Sequence, residues 1–334
     1  MPIDANHSPS KDGNHDRFRL LGYAACALAG ALWGTGFYWG RLALDEMSVE
    51  HMVLYRFLFA SIGILPVALR NRVRLTAAEM RLLLLIAAFG IPIQFLLQFH
   101  GLALTTVSHA SLMVGAMPVL LAASAAIFAG ESLGWFEWLA LCGSTVGAAL
   151  VVLGGSHVAA GRETPTLTGD FLVILSLFTA LAWILLSKKL METHSPPVVT
   201  AYTILAGTVM LIVIVLGPSA IAPIVSIISP GTRFHPAAIP FAHISLTAWI
   251  ALAISGTLCT ALTTLLWNWG IHHVPASRAG VFLNIEPVLG SILGVQLLGE
   301  KLGTYAWLGG ALILAAAITL TSRGKLSQPE AILE

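Results

Sequence analysis

The stretch Glu286–Leu308, EPVLGSILGVQLLGEKLGTYAWL, recurs at an offset of 169 residues as Met117–Leu139, MPVLLAASAAIFAGESLGWFEWL. Pro118 falls on Pro287, and Gly130–Glu131 on Gly299–Glu300. Leu133–Gly134 falls on Leu302–Gly303, and Trp138–Leu139 on Trp307–Leu308. Extended back to Ala110 and Ala279, the alignment holds 10 identities in 30 positions. A shared apolar bias supplies matches of Leu and Ala, but it does not supply Pro, Gly-Glu and Trp at one offset. Earlier in each half, Trp33 corresponds to Trp183, and Ser48 and Tyr55 to Ser195 and Tyr202. The chain reads as two related halves.

The solvent around those halves follows from composition. Of 334 residues, 57% are apolar and only 10% are charged, against about 25% charged in soluble domains. Such a chain cannot cover a water-facing surface, so most of it faces lipid. A bilayer core takes about 20 mostly apolar residues per helix. Ten segments fit, near 20–40, 51–70, 80–101, 105–128, 135–155, 169–189, 197–216, 247–270, 275–298 and 304–322. Five spans per half is an odd number, so the halves insert in opposite directions. The expected fold is therefore an all-α integral membrane protein of ten transmembrane helices, arranged as two inverted five-helix repeats.

The expected organisation is a polar segment 1–19, a first repeat 20–155, a linker 156–168, a second repeat 169–322 and a tail 323–334. The first apolar run opens near Leu20 and is long enough to span, so it reads as a retained helix rather than a cleaved signal. The loop 217–246 carries five prolines, and its apolar piece Ala220–Ile228 reads as an interfacial or re-entrant segment. With the N-terminus inside, twelve basic side chains fall on the inner side. Arg41, Arg162, Arg233 and Lys301, four in all, fall on the outer side. That asymmetry places both termini in the cytoplasm and the protein in the cytoplasmic (inner) membrane. The cluster Arg70, Arg72, Arg74 and Arg81 is the strongest anchor and suits a phospholipid surface.

Several function classes fall away. A net charge of +1 leaves no basic excess for nucleic acid. Cys26, Cys142 and Cys259 lie far apart in apolar runs and give no metal spacing. No HExxH or P-loop is present. An enzyme and direct ATP drive are not expected, and no cofactor is implied. The inverted repeat points instead to a secondary carrier working by alternating access.

The motifs LWGTGF (Leu32–Phe37), YRF (Tyr55–Phe57), GES (Gly130–Ser132), EPV (Glu286–Val288) and GEKL (Gly299–Leu302) carry a family likeness. In order, spacing and duplication the chain resembles the EamA-type ten-helix branch of the drug/metabolite transporter superfamily, from about residue 22 to 322. The resemblance implies a cytoplasmic-membrane carrier with a central cavity lined from both halves, commonly an exporter of amino acids or other small metabolites. It does not imply a particular substrate. One departure is that Glu286 faces Met117 in the other half, so the acid is single.

Glu286 falls about twelve residues into helix 9, near mid-membrane, where a charge costs a few kcal/mol. It serves either proton coupling or a substrate ammonium, or else it fixes helix packing. Pro287 removes a helical N–H and is expected to kink the helix beside Asn284, with Pro118 as its counterpart. Arg56, in helix 2, either snorkels to the interface, binds a substrate carboxylate or pairs with Glu286. Gln94 and Gln98 share a helix face and contact either substrate or a neighbouring helix. His100 and His109 read as interfacial residues. Trp33, Tyr38, Trp183, Tyr202 and Trp267 form either an aromatic wall or ordinary packing. Glycine pairs four apart, Gly30/Gly34, Gly36/Gly40, Gly143/Gly147 and Gly290/Gly294, allow close helix approach. Glu131 and Glu300 read as structural groups that hold a turn or a helix N-terminus.

Amino acid export is the leading expectation, with Arg56 and Glu286 reading the two ends of a zwitterion. Cationic or neutral drug-like compounds are the second, and a non-transporting receptor or assembly protein the third. The partners expected are a small-molecule substrate, the bilayer and, where transport is coupled, protons.

Overall fold

The computed structural model describes residues 11–117, 119–120, 123–124, 135–153, 156–157, 166–228, 244–274 and 282–323. Pro118 and Glu131 lie outside the described residues. Nearly all of what is described is helix: α1 (Lys11–Leu44), α2 (Val49–Arg70), α3 (Ala77–Ala103), α4 (Val107–Val114), α5 (Trp135–Leu153), α6 (Leu167–Leu190), α7 (Pro196–Ile228), α8 (Leu246–His273), α9 (Ile285–Leu297) and α10 (Thr304–Arg323). Six stretches, within α1, α2, α3, α6, α7 and α8, are long and apolar enough to cross a membrane. Shorter apolar helices occupy Trp138–Val151, Ile285–Leu297 and Thr304–Ala316. Strand structure among the described residues is one antiparallel bridge, β1 (Ser156–His157) on β2 (Lys301–Leu302).

The surface confirms lipid as the solvent. Ile62, Leu85, Phe171, Val213 and Ile318 are exposed, while Ser108, His109 and Asp170 are buried. That inversion of the soluble pattern fits a membrane protein, which needs its polar groups satisfied internally. Without water between the helices, association rests on close packing at small residues. Gly147 on α5 faces the Gly309 backbone of α10, where a Cβ would meet the Gly309 carbonyl oxygen at 2.7 Å. Gly30 and Gly34 on α1 face the backbone of Phe282 and Glu286. The main helix contacts are α5 with α10, α1 with α8 and α9, α3 with α6, α4 with α9, and α2 with α7.

Among the described residues, two helices carry a π turn. In α3 it spans Phe89–Ile93 and contains Pro92, which has no N–H to donate one turn back. In α8 it spans Thr257–Leu262. There the hydroxyls of Thr260 and Thr263 donate to carbonyls five residues back, Ser255 at 2.9 Å and Leu258 at 2.5 Å.

Two expectations change. Helix α7 does not stop near Gly217 but continues as a helix to Ile228, so Ala220–Ile228 extends that helix. Its run of Ile, Val, Leu and Ala favours helix on both sides of Pro218. The second change concerns Pro287. The chain turns at Asn284 and α9 starts at Ile285, placing Pro287 in the first turn. First-turn N–H groups have no intrahelical acceptor, so the missing donor costs nothing there. Residues 282–283 are helical too, so the chain breaks at Asn284, one turn before Pro287.

A candidate substrate cavity between the halves

One cavity collects side chains from α1, α2, α3, α4, α6, α7, α8 and the start of α9. The space between its walls, counted out into its open mouth, is about 1040 Å³. Arg56, Gln94, Gln98, Trp33, Trp183, Trp267 and Glu286 all line it.

Arg56 is only 3% exposed and does not reach an interface, so snorkelling is excluded. Its position on the second turn of α2 faces the π turn of α8, which supplies the partners a buried cation needs. Nε donates to Thr260 Oγ1 at 2.8 Å, and one terminal nitrogen points at the Cys259 carbonyl at 3.5 Å. The rings of Phe95 and Phe99 flank the guanidinium at 5.0 and 5.2 Å, within the range of cation–π attraction. These contacts hold the head in place and leave donors for a ligand. A planar fork of this kind recognises a carboxylate.

Glu286 enters the cavity from the first turn of α9. Among the described residues none hydrogen-bonds its carboxyl group, and no ion pair with Arg56 forms. The two are close enough to interact electrostatically. The site thus offers a cationic and an acidic group that do not cancel each other by contact.

The aromatic residues divide. Trp33 and Trp267 pack with ring centroids 5.5 Å apart. Trp183 lies against Gly90, where any Cβ would collide with its indole. Tyr38 packs edge-on against Trp39, at 5.1 Å between centroids, outside the cavity lining. The Tyr202 hydroxyl accepts a bond from the Val73 N–H at 3.4 Å, also outside it. Asn284 caps the start of α9 and does not line the cavity, although it is buried and both its amide atoms are unpartnered.

The structure adds polar residues that the sequence pattern does not single out. Ser187, Thr200, Thr203, Thr260 and Asn268 all line the cavity. Asn268 Nδ2 donates to Thr200 Oγ1 at 2.7 Å. Single hydroxyl and amide residues in apolar helices carry little signal in sequence, because helix Ser and Thr usually bond back to their own backbone.

A separate buried network ties α4, α6 and the α9–α10 turn. Glu300 accepts from the backbone N–H groups of Val107 and Ser108 at 2.8 Å each, and from Ser108 Oγ at 2.6 Å. Gly299, at φ +67°, makes the turn that aims it. Asp170 accepts from Thr105 Oγ1 at 2.9 Å and lies 3.3 Å from His109 Nδ1. His109 is fully buried against Asp170, whereas His100 is half exposed beside Glu50 at 3.2 Å.

The family model of the EamA-like transporter family matches residues 20–153 and again 167–322. An uncharacterised transporter of Archaeoglobus fulgidus is 22% identical over 89% of this chain and 96% of its own length. A probable terminal-alkyne amino-acid exporter of Streptantibioticus cattleyicolor is 24% identical over 90% of this chain and 93% of its own. The biotin transporter of Escherichia coli is 23% identical over 86% and 88%. With helices long and apolar enough to span a membrane and the family model matched along nearly its whole length, the chain belongs to the EamA-like transporter family.

Proposed function

We propose that this protein is a secondary carrier that exports amino acids or related small carboxylates by alternating access. The observation that carries the reading is the joint placement of Arg56 and Glu286 on one cavity without a direct ion pair. Arg56 receives the carboxylate, and Glu286 receives an ammonium or a proton. Two relatives support the carboxylate: an amino acid and biotin, the substrates in their names, both carry one.

Alternating access requires two halves that exchange roles. The twofold match of the family model supports ten spans in two inverted repeats, with the first repeat in 20–155 and the second in 169–322. Exchanging α1–α5 with α6–α10 also turns the contact α1 with α8 into α6 with α3, and both are made. The pairs α2 with α7, α4 with α9 and α5 with α10 map onto themselves. The π turns fall in α3 and α8, which are counterparts. In this reading both termini are cytoplasmic, in the inner membrane. The cavity then reaches from Arg56 toward the cytoplasmic ends of α6 and α7, at Ser187 and Thr200, while Glu300 and Asp170 tie the opposite face. The described arrangement is then inward-facing.

A second reading, export of organic cations, draws on the same Glu286 with Trp33, Trp183 and Trp267 as aromatic walls. Counterflow in proteoliposomes, with labelled amino acids, nucleosides and cationic drugs, separates the two without assuming a coupling ion. Saturable amino-acid counterflow is expected. Saturation by cations alone transfers the assignment to the second reading, and silence across the panel rejects both.

A further inference from the structure

Helix hydroxyls in this protein usually bond back to their own helix. Ser176, Thr179, Thr208, Thr257 and Thr319 each donate to a carbonyl three or four residues earlier, at 2.6 to 2.7 Å. Ser187 and Thr203 do not. Each is buried, at 2% and 4% exposure, each hydroxyl lacks a partner, and both line the cavity. Beside them the Asn268–Thr200 pair joins α8 to α7 at 2.7 Å. A buried hydroxyl without a partner is costly, so Ser187 and Thr203, beside the Asn268–Thr200 pair, offer hydrogen bonds that a ligand would fill.

Their distance from Arg56 decides what that ligand is. On α8, Thr260 binds Arg56 and Asn268 belongs to this shelf, eight residues further on. At 1.5 Å per residue the two levels lie about 12 Å apart. Helices α3 and α6 give the same order. They run antiparallel, with Gly101 against Val173 and Gly90 against Trp183. Ser187 therefore sits one turn beyond Gly90, while Gln94 and Gln98 lie on the Arg56 side. Allowing about 3 Å for a hydrogen bond at each end, a molecule with roughly 6 Å between its polar ends bridges the two levels. The shelf carries no charge of its own.

We infer that Ser187, Thr200, Thr203 and Asn268 form a second subsite, which binds the uncharged hydrogen-bonding tip of an extended amino acid whose carboxylate lies at Arg56. This deepens the carrier reading and rests on it. Short zwitterions reach the Arg56 end and leave the shelf unfilled.

The test is competition for counterflow by purified protein in proteoliposomes, using three probes: L-citrulline, with a neutral ureido tip; L-norleucine, with an apolar tip; and L-alanine. Citrulline is expected to compete at least about 10-fold more tightly than norleucine. In Thr203→Val and in Ser187→Ala that ratio falls towards one, because citrulline loses its partner and norleucine no longer leaves a hydroxyl unpaired. Both changes are conservative, so one folded variant suffices. Equal competition by citrulline and norleucine in the wild type overturns the subsite and leaves the carrier reading standing. A wild-type preference that survives both variants overturns the assignment to these residues. Failure of all three probes overturns the amino-acid reading and the subsite together.

Discussion

Glu300 reaches across 192 residues of sequence to Ser108, accepting its backbone N–H at 2.8 Å and its hydroxyl at 2.6 Å. It takes the Val107 N–H as well. One carboxylate thus satisfies the otherwise unpaired donors at the start of α4, where the helix dipole also favours a negative charge. Glu300→Ala leaves two buried N–H groups and a hydroxyl unpaired. The expected loss is about 3 kcal/mol, read as a lower thermal midpoint in detergent. Glu300→Gln keeps one acceptor and is expected to fall between the two.

The contact of α5 with α10 gives a paired test of close packing. In Gly147→Ala the new methyl meets the Gly309 carbonyl oxygen at 2.7 Å, so backbone must move. A cost of about 1–3 kcal/mol is expected. At Gly143, one turn away, the nearest atoms are at 3.9 Å. Gly143→Ala is expected to be neutral or to stabilise by about 1 kcal/mol through helix propensity. Equal losses from both changes would count against close approach at Gly147 as the cause.

Arg56→Gln removes the cation but keeps a planar hydrogen-bonding head between Phe95 and Phe99. Competition by substrates with a carboxylate is expected to weaken about 10- to 100-fold. Substrates without one should change little. Equal weakening of both classes points to a structural role for Arg56.

Glu286→Gln is expected to leave a folded protein, because no described residue depends on its carboxyl for a hydrogen bond. Proton-coupled flux should be lost while exchange of bound substrate persists. A variant whose flux keeps the wild-type pH dependence removes Glu286 from coupling.

At the water-exposed start of α8, Glu46 accepts the Ser245 hydroxyl at 2.5 Å and its backbone N–H at 2.6 Å. Those bonds hold the Glu46 carboxyl below the ordinary carboxylate value of 4.5. A group depressed in the folded state stabilises above its unfolded pKa and loses that stabilisation as pH falls through the folded one. The link between the α1–α2 turn and α8 is therefore expected to loosen only below about pH 4.5. Glu46→Gln should flatten the acid limb of a stability–pH profile and leave neutral pH nearly unchanged.

Much of the architecture is legible in the chain itself. Apolar runs of bilayer length mark the helices, because the cost of exposing unpaired backbone to lipid leaves few alternatives. The offset of 169 residues between the Pro-containing stretches marks the duplication. Arg56, Glu286, Gln94 and Gln98 stand out because a charged or amide side chain inside an apolar span is costly. Tyr38 and Tyr202 stand out for the same chemical reason as Trp33 and Trp183, yet they pack outside the cavity. Aromatic identity does not encode which way a helix face turns.

Facing and partnership come from the packing of the helices. Arg56 is a cavity group because the α8 π turn brings Thr260 and the Cys259 carbonyl to it from 204 and 203 residues away. Ser187 and Thr203 matter because their hydroxyls have no partner, a property of neighbours rather than of residue type. Solvent, helices and duplication are readable along the chain, since they follow from local transfer energies and from identity at a fixed offset. The cavity and its two polar levels arise from long-range packing of helices from both halves, and no local pattern in the chain records that packing.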